Sequence, residues 1–270
     1  MSDLNFHVRH EVTPERVWDV LTAIVEEYSF DHIVQPDRQI GRLRQLGLVQ
    51  KVRDKMLPTA LGHELYRIGT RKREAAMDIF HYLHYSLWDE QQRLDNTLSW
   101  SYRTHCDTLF AAKEFATDKS GLEHLTAELN NKITEYFGSD VSKTKKGSVA
   151  LSTNSIKGIH HWLATLNPPV LENDSEKFAR RSSCSPEMLL LGLGFMVRTT
   201  GAKLGVDLLL TTENRELTCR PCLLNPAMLD RELDWMLSLY PSIIQPGTRT
   251  GGYGRFVRFM KLPALDDLLQ

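Results

Sequence analysis

The sequence predicts a mainly α fold with short β-hairpins, and three observations carry that expectation. Apolar residues recur at helical spacing in most of the chain: Val17, Leu21 and Ile24 early, Phe80, Leu83 and Leu87 in the middle, Ile156, Ile159 and Leu163 later. The β-prone runs are short and come in pairs around turn residues, as at Leu48–Val52 and Met56–Leu57. A shift to an aromatic helical pattern after residue 73 and a Lys-rich link at 142–147 mark the boundaries between segments. They divide the 270 residues into segment 1–73, a helical middle 74–138 and a second α+β segment 139–270.

The first helix is set by Thr13-Pro14-Glu15: a side-chain cap, a proline in the first turn and an acid near the positive end of the dipole. Residues 28–36 form a short second element. A further helix over residues 37–46 carries Ile40, Leu43 and Leu46 on one face, with Arg38, Arg42 and Arg44 on others, and Gly47 sits where a left-handed C-terminal residue is needed. Leu48–Val52 and Met56–Leu57 flank the charged tip Arg53-Asp54-Lys55, and Thr59 caps the helix Ala60–Ile68. Helix, Gly-Leu-Val, charged hairpin and helix, in that order, is the sequence of elements in a winged helix-turn-helix.

Charge gives this segment a functional reading. Residues 37–73 hold ten Lys/Arg against three Asp/Glu, a local +7 in a chain whose net charge is −1. A local basic patch on a near-neutral protein is the expected footprint of a phosphate-binding surface. Arg38, Arg42, Arg44, Lys51, Arg53 and Lys55 are therefore the first candidates for contact with double-stranded DNA. The bland reading of the same charges is a solvated helix face.

Residues 74–95 continue as an aromatic-rich helix with His81 and His84 on its rim, followed by helices over 97–117 and 121–137. Residues 151–166 then look like a second recognition helix. Ser152 or Thr153 caps it, Ile156, Ile159 and Leu163 face inward, and Thr153, Asn154, Ser155 and Lys157 are left for bases or phosphates. Pro168-Pro169 stops it, and Val170-Leu171 with Phe178–Arg181 forms a wing around the acidic tip 172–176. The remainder reads as a buried helix from Pro186, a hairpin of Val206–Thr212 with Glu216–Leu224 around Asn214, an amphipathic helix to Tyr240, and a hairpin of Ser242–Gln245 with Arg255–Met260. The Gly-rich tip of that last hairpin adds Arg249 and Arg255 to the DNA-facing candidates. The whole predicts tandem winged-helix domains joined by a helical middle region.

Composition excludes several classes. With 41% hydrophobic and 25% charged residues, the chain has the make-up of an ordinary globular protein. No apolar run approaches the roughly 20 residues of a membrane span, and MSDLNFHVRHE lacks the apolar stretch of a signal peptide. A cytoplasmic protein with no membrane partner is expected. Of four cysteines, Cys219-Arg-Pro-Cys222 forms a C-x-x-C inside a run that reads as a strand. Structural thiols are the favoured reading, while a zinc half-site completed by His160-His161 and a redox pair remain open. No nucleophile elbow, H-E-x-x-H, phosphate loop or set of paired nuclease carboxylates is present, so no catalytic residue, cofactor or metal is expected.

Ile40-Gly-Arg-Leu-Arg-Gln-Leu-Gly-Leu-Val49 followed by Leu57-Pro-Thr-Ala-Leu-Gly-His-Glu-Leu65 resembles the winged-helix DNA-binding domains of bacterial transcriptional regulators. His81-Tyr-Leu-His-Tyr-Ser-Leu-Trp88 and Ile159-His-His-Trp-Leu-Ala-Thr-Leu-Asn-Pro-Pro-Val-Leu171 resemble an uncharacterised family encoded beside prokaryotic DNA-modification and phage-defence genes. The first resemblance implies a DNA-binding domain and the second a defence-associated adaptor with no catalytic motif; with the basic segment, the expected function is a DNA-binding regulator or the DNA-recognition subunit of a defence or modification system. The alternative is a protein–protein adaptor of such a system, with other defence-complex subunits or a second copy of the chain as partner. A nuclease is the least supported class.

Overall fold

The computed structural model describes residues 6–92, 96–138, 151–172, 177–248 and 254–269. Helix accounts for 59% and strand for 12%, with the strands confined to small antiparallel sheets, so helix packing carries the fold.

Helix α1 (Pro14–Val25) is capped by Thr13, whose hydroxyl accepts from the Arg16 N–H. Helix α2 (Pro36–Gln45) ends at Gly47, where φ is +70°, a conformation glycine adopts without steric cost. Strands β1 (Val49–Val52) and β2 (Lys55–Pro58) pair antiparallel with Val52 opposite Lys55, leaving Arg53-Asp54 as a two-residue turn. Thr59 starts helix α3 (Ala60–Arg71): its Oγ1 accepts from the Gly62 N–H at 3.1 Å and donates to the Gly47 carbonyl at 2.7 Å. Gly62 lets α3 lie against the entrance of the hairpin, since a Cβ there would sit 2.0 Å from the Leu48 carbonyl oxygen.

Helix α4 (Arg73–Ser86) is central. Every residue from Ala75 to Tyr85 is buried, the pattern of a helix covered on all sides, and it packs against α3 and against four later helices. Those are α5 (Thr97–Ala112), α7 (Thr153–Leu163), α8 (Pro186–Thr200) and α9 (Thr212–Cys222). The sequence places helix as far as Asp95, but α4 stops at Ser86. The helix expected over 97–117 ends at Ala112 and gives way to strand β3 (Glu114–Ala116). Helix α6 (Lys119–Phe137) follows, then β4 (Leu171–Glu172) and β5 (Lys177–Ala179), which form a sheet in the order β3-β5-β4. The last sheet has the order β6-β8-β7, from β6 (Asp207–Leu209), β7 (Ile244–Thr248) and β8 (Arg255–Phe259), with helix α10 (Leu229–Leu239) before β7.

One expectation is overturned here. Val206–Thr212 and Glu216–Leu224 do not form a hairpin: β6 pairs with β8, and the second run is helix α9. Thr211 caps α9 by accepting from the Asn214 N–H at 3.2 Å, and Asn214, read as a turn residue, lies in the first turn with its amide donating to the Leu209 carbonyl at 2.7 Å. The apolar run meets α8, where Gly192 leaves room for Cys222 and the Thr218 carbonyl.

Residues 6–12 join distant parts of the chain. Phe6, Val8 and Val12 are buried. His7 Nδ1 lies 2.8 Å from Ser155 Oγ on α7, the His161 ring N–H donates to the His10 carbonyl, and Gln39 Nε2 on α2 donates to the Glu11 carbonyl at 3.2 Å. Gly158 permits the close approach, because a Cβ there would lie 2.3 Å from the Val8 carbonyl oxygen. The segment therefore runs between α2 and α7, and one hydrophobic cluster extends from Phe6 to Leu268.

Candidate nucleic-acid interface

The ten cations of residues 37–73 fall into groups with different surroundings. Arg38 pairs with Glu11 at 2.8 Å, Arg67 with Glu64 at 2.9 Å and Lys72 with Glu187 at 3.0 Å. Arg73 stacks its guanidinium over the Trp18 ring, 4.1 Å from the centroid. Arg44, Lys51, Arg53 and Lys55 are exposed and have no ion-pair or hydrogen-bond partner among the described residues. They lie at the C-terminal turn of α2 and around the tip of the β1–β2 hairpin. Arg53 holds φ at +55°, the left-handed region that a hairpin turn ordinarily gives to Gly or Asn.

Arg42 departs from its expected place on the outer face of α2. It is 4% exposed, and its Nε and Nη1 have no hydrogen-bond partner among the described residues. The helix turns this residue toward residues 7–12 and the start of α5, where it borders a pocket of about 300 Å³ shared with His7, Arg9, Asp37, Arg38 and Gln45. Burial pushes the Arg42 guanidinium down to about 10, and neighbouring Arg9 pushes in the same direction while Tyr102 opposes it. Burial, and then Arg9, also lower the pKa of His7.

The later candidates divide in a similar way. Asn154 and Lys157 are exposed on the first turns of α7 and Thr153 is half-buried. Ser155 is buried; its hydroxyl is held by His7 and accepts from the Ser152 N–H at 3.4 Å, so it serves the start of the helix and not a base edge. Arg255 is likewise not free: it pairs with Asp230 and Asp234. Arg249 lies outside the described residues.

The histidines expected on the rim of α4 are in the core. Pro221 O can only accept, so His81 Nε2 carries the proton and donates to it at 2.8 Å, and Nδ1 accepts from the Tyr102 hydroxyl, also at 2.8 Å. His84 donates from Nδ1 to the Phe80 carbonyl at 2.8 Å. Burial, followed by Arg181, holds His81 down at about 4, and burial, followed by Arg42, keeps His84 well below the usual histidine range. Both rings are neutral structural members.

Cys219 and Cys222 lie on helix α9, not on a strand, and both are buried. The Cys222 thiol donates to the Thr218 carbonyl at 3.3 Å, and burial raises the pKa of both thiols, which keeps them protonated. Among the described residues no group of three or more His, Cys, Asp or Glu comes together as a metal site. No helix among them is long and apolar enough to cross a membrane.

One buried polar group had no sequence signal. Asp78 on α4 accepts from Arg181 Nη1 at 2.8 Å and from Ser185 Oγ at 2.7 Å, and Arg181 Nε donates to the Cys222 carbonyl at 2.6 Å. Neither side chain of the ion pair exceeds 2% exposure, so this is a core pair linking α4, the start of α8 and the end of α9.

No family model, curated protein or solved structure matches the chain.

Proposed function

We propose that the chain binds duplex DNA through Arg44, Lys51, Arg53 and Lys55, with the α1–α2–hairpin–α3 unit acting as a winged helix. The second unit, α7 with the β4–β5 pair, offers Asn154 and Lys157 as a further contact in a tandem arrangement. The reading makes the protein a prokaryotic regulator or the DNA-recognition subunit of a defence or modification system. The observation that carries it is the sorting of charge: six basic residues of the segment lie elsewhere, while four exposed, unpartnered cations lie at the C-terminal turn of α2 and around the tip of the hairpin that follows it. Phosphates neutralise such a group at little desolvation cost, and an arginine in the left-handed turn position fits a tip selected for contact.

The test is the salt dependence of duplex binding by wild type and by Arg44→Gln/Lys51→Gln/Arg53→Gln/Lys55→Gln. At about 0.9 per phosphate contact, four lost contacts lower the log–log slope by about 3 to 4. The four positions are exposed, so thermal stability should stay near wild type. An unchanged slope with retained binding removes this surface from the reading.

A second reading has its own support. Val52 and Leu57, 43% and 40% exposed, share the outer face of the hairpin with Lys55, because cross-strand partners and alternate residues point the same way. A face of that composition suits a protein partner, and an adaptor role follows if the wild-type chain shows no salt-dependent affinity for DNA.

A further inference from the structure

We infer that the pocket between residues 7–12, α2 and the start of α5 is a binding site for a phosphoryl group, either free or carried by a small molecule. The inference does not rest on DNA binding. Arg42 lines the pocket, and its guanidinium is buried with Nε and Nη1 lacking a partner among the described residues. A buried charge without a partner is strongly unfavourable, so it stands where a counter-charge is supplied. Arg181, the other buried arginine among the described residues, also leaves one nitrogen, Nη2, without a partner there, but it has the Asp78 carboxylate at 2.8 Å as counter-charge and a carbonyl at 2.6 Å. Arg42 has no such arrangement and borders a cavity of about 300 Å³ instead.

The other walls define the ligand. Arg9 is exposed at the same pocket and has no ion-pair or hydrogen-bond partner among the described residues, whereas Arg38 is already committed to Glu11. Two uncommitted guanidiniums match a dianion, and their planar forks fit phosphate oxygens. Gln45 and His7 add neutral polar groups to the lining. Asp37 also lines the pocket and opposes the anion, which favours a ligand drawn down toward Arg42. The volume lies at the lower end of small-molecule pockets, larger than one phosphate needs. Gly41 keeps the α2 side open, since a Cβ there would meet nothing within 4 Å.

Calorimetric titration of the whole chain with inorganic phosphate and with adenosine monophosphate, at constant ionic strength set with chloride, tests the site. Wild type should bind at least one probe saturably. Tighter binding of the nucleotide identifies a carried phosphoryl group, and equal binding identifies the free ion. Arg42→Met should weaken binding at least tenfold while raising the melting temperature of the ligand-free protein, because it removes an unpaired buried charge. Arg9→Gln, at an exposed position, should weaken binding with no change in that temperature. Gly41→Leu should block access while both arginines remain. The inference fails if neither probe binds saturably at concentrations on the order of 10 mM. It fails equally if Arg9→Gln and Gly41→Leu bind as wild type does, or if duplex DNA displaces the probe competitively, which would make the pocket a backbone contact.

Discussion

Removing the carboxylate of Asp78 should be among the most damaging single changes in this protein. Asp78→Asn preserves the shape of the side chain and its ability to accept from Ser185, but leaves the Arg181 guanidinium buried without a counter-charge. Breaking a buried ion pair from one side costs about 3–5 kcal/mol, largely the desolvation of the charge left behind. Against a typical total of about 5–15 kcal/mol, that is a fifth of the stability at the least and most of it for a marginal fold. The melting temperature should fall by about 10 °C, at roughly 2–4 °C per kcal/mol for a chain of this size. Asp78→Leu combined with Arg181→Met removes both charges and should recover most of the loss, with the cycle measured by urea unfolding. The Arg181 Nε bond to the Cys222 carbonyl also disappears in the double variant, so full recovery is not required. A loss below about 1 kcal/mol for Asp78→Asn would refute the premise that the pair is dry and that its charges depend on each other.

Two further perturbations follow from the core and the hairpin. His81 is neutral in the folded protein down to about pH 4, against about 6.5 when unfolded, so as pH falls through that window the unfolded state takes up the proton first and stability drops, by about 3 kcal/mol for this group alone. His84 and His105, both held well below the ordinary value chiefly by burial, add in the same direction; a stability unchanged between about pH 7 and about pH 5 would contradict their neutral burial. Gly62→Ala should destabilise by about 1–3 kcal/mol despite the better helix propensity of alanine, because its Cβ meets the Leu48 carbonyl and the backbone there has little room to move; equal or higher urea resistance would show that α3 does not sit as close to the hairpin as described.

The parts of the fold that were legible in the sequence have local causes. Gly47, Thr59 and the Arg53-Asp54 turn each act within a few residues, and α2, the first hairpin and α3 come out close to their expected bounds. The mistakes have long-range causes or a misread local one. The Ile40, Leu43 and Leu46 stripe puts Arg42 outside, but Gln39 is bonded to the Glu11 carbonyl and Arg42 is buried beside residues 7–12 and the start of α5, which no periodicity within α2 can reveal. The aromatic density of residues 80–88 signals burial, and a rim position for His81 and His84 does not fit it, because eleven consecutive buried positions leave no rim. In α9 two local signals compete: Thr211 followed by Glu213 is a helix start, while the apolar run to Leu224 and Asn214 read as a strand and its turn, and the helix start prevails.

Charge shows why a local count and a usable surface differ. A sum of +7 over residues 37–73 treats every cation as equivalent. In the folded chain Arg67 and Lys72 are neutralised by Glu64 and Glu187, one of them 115 residues away, and Arg73 has its guanidinium over Trp18. An arginine already held by a carboxylate must give up that partner before meeting a phosphate, while Arg44, Lys51, Arg53 and Lys55 release only water and counterions. The two classes should therefore respond differently to salt. Substituting the paired cations should affect stability more than the salt slope, and substituting the unpaired four should affect the slope and leave stability almost unchanged.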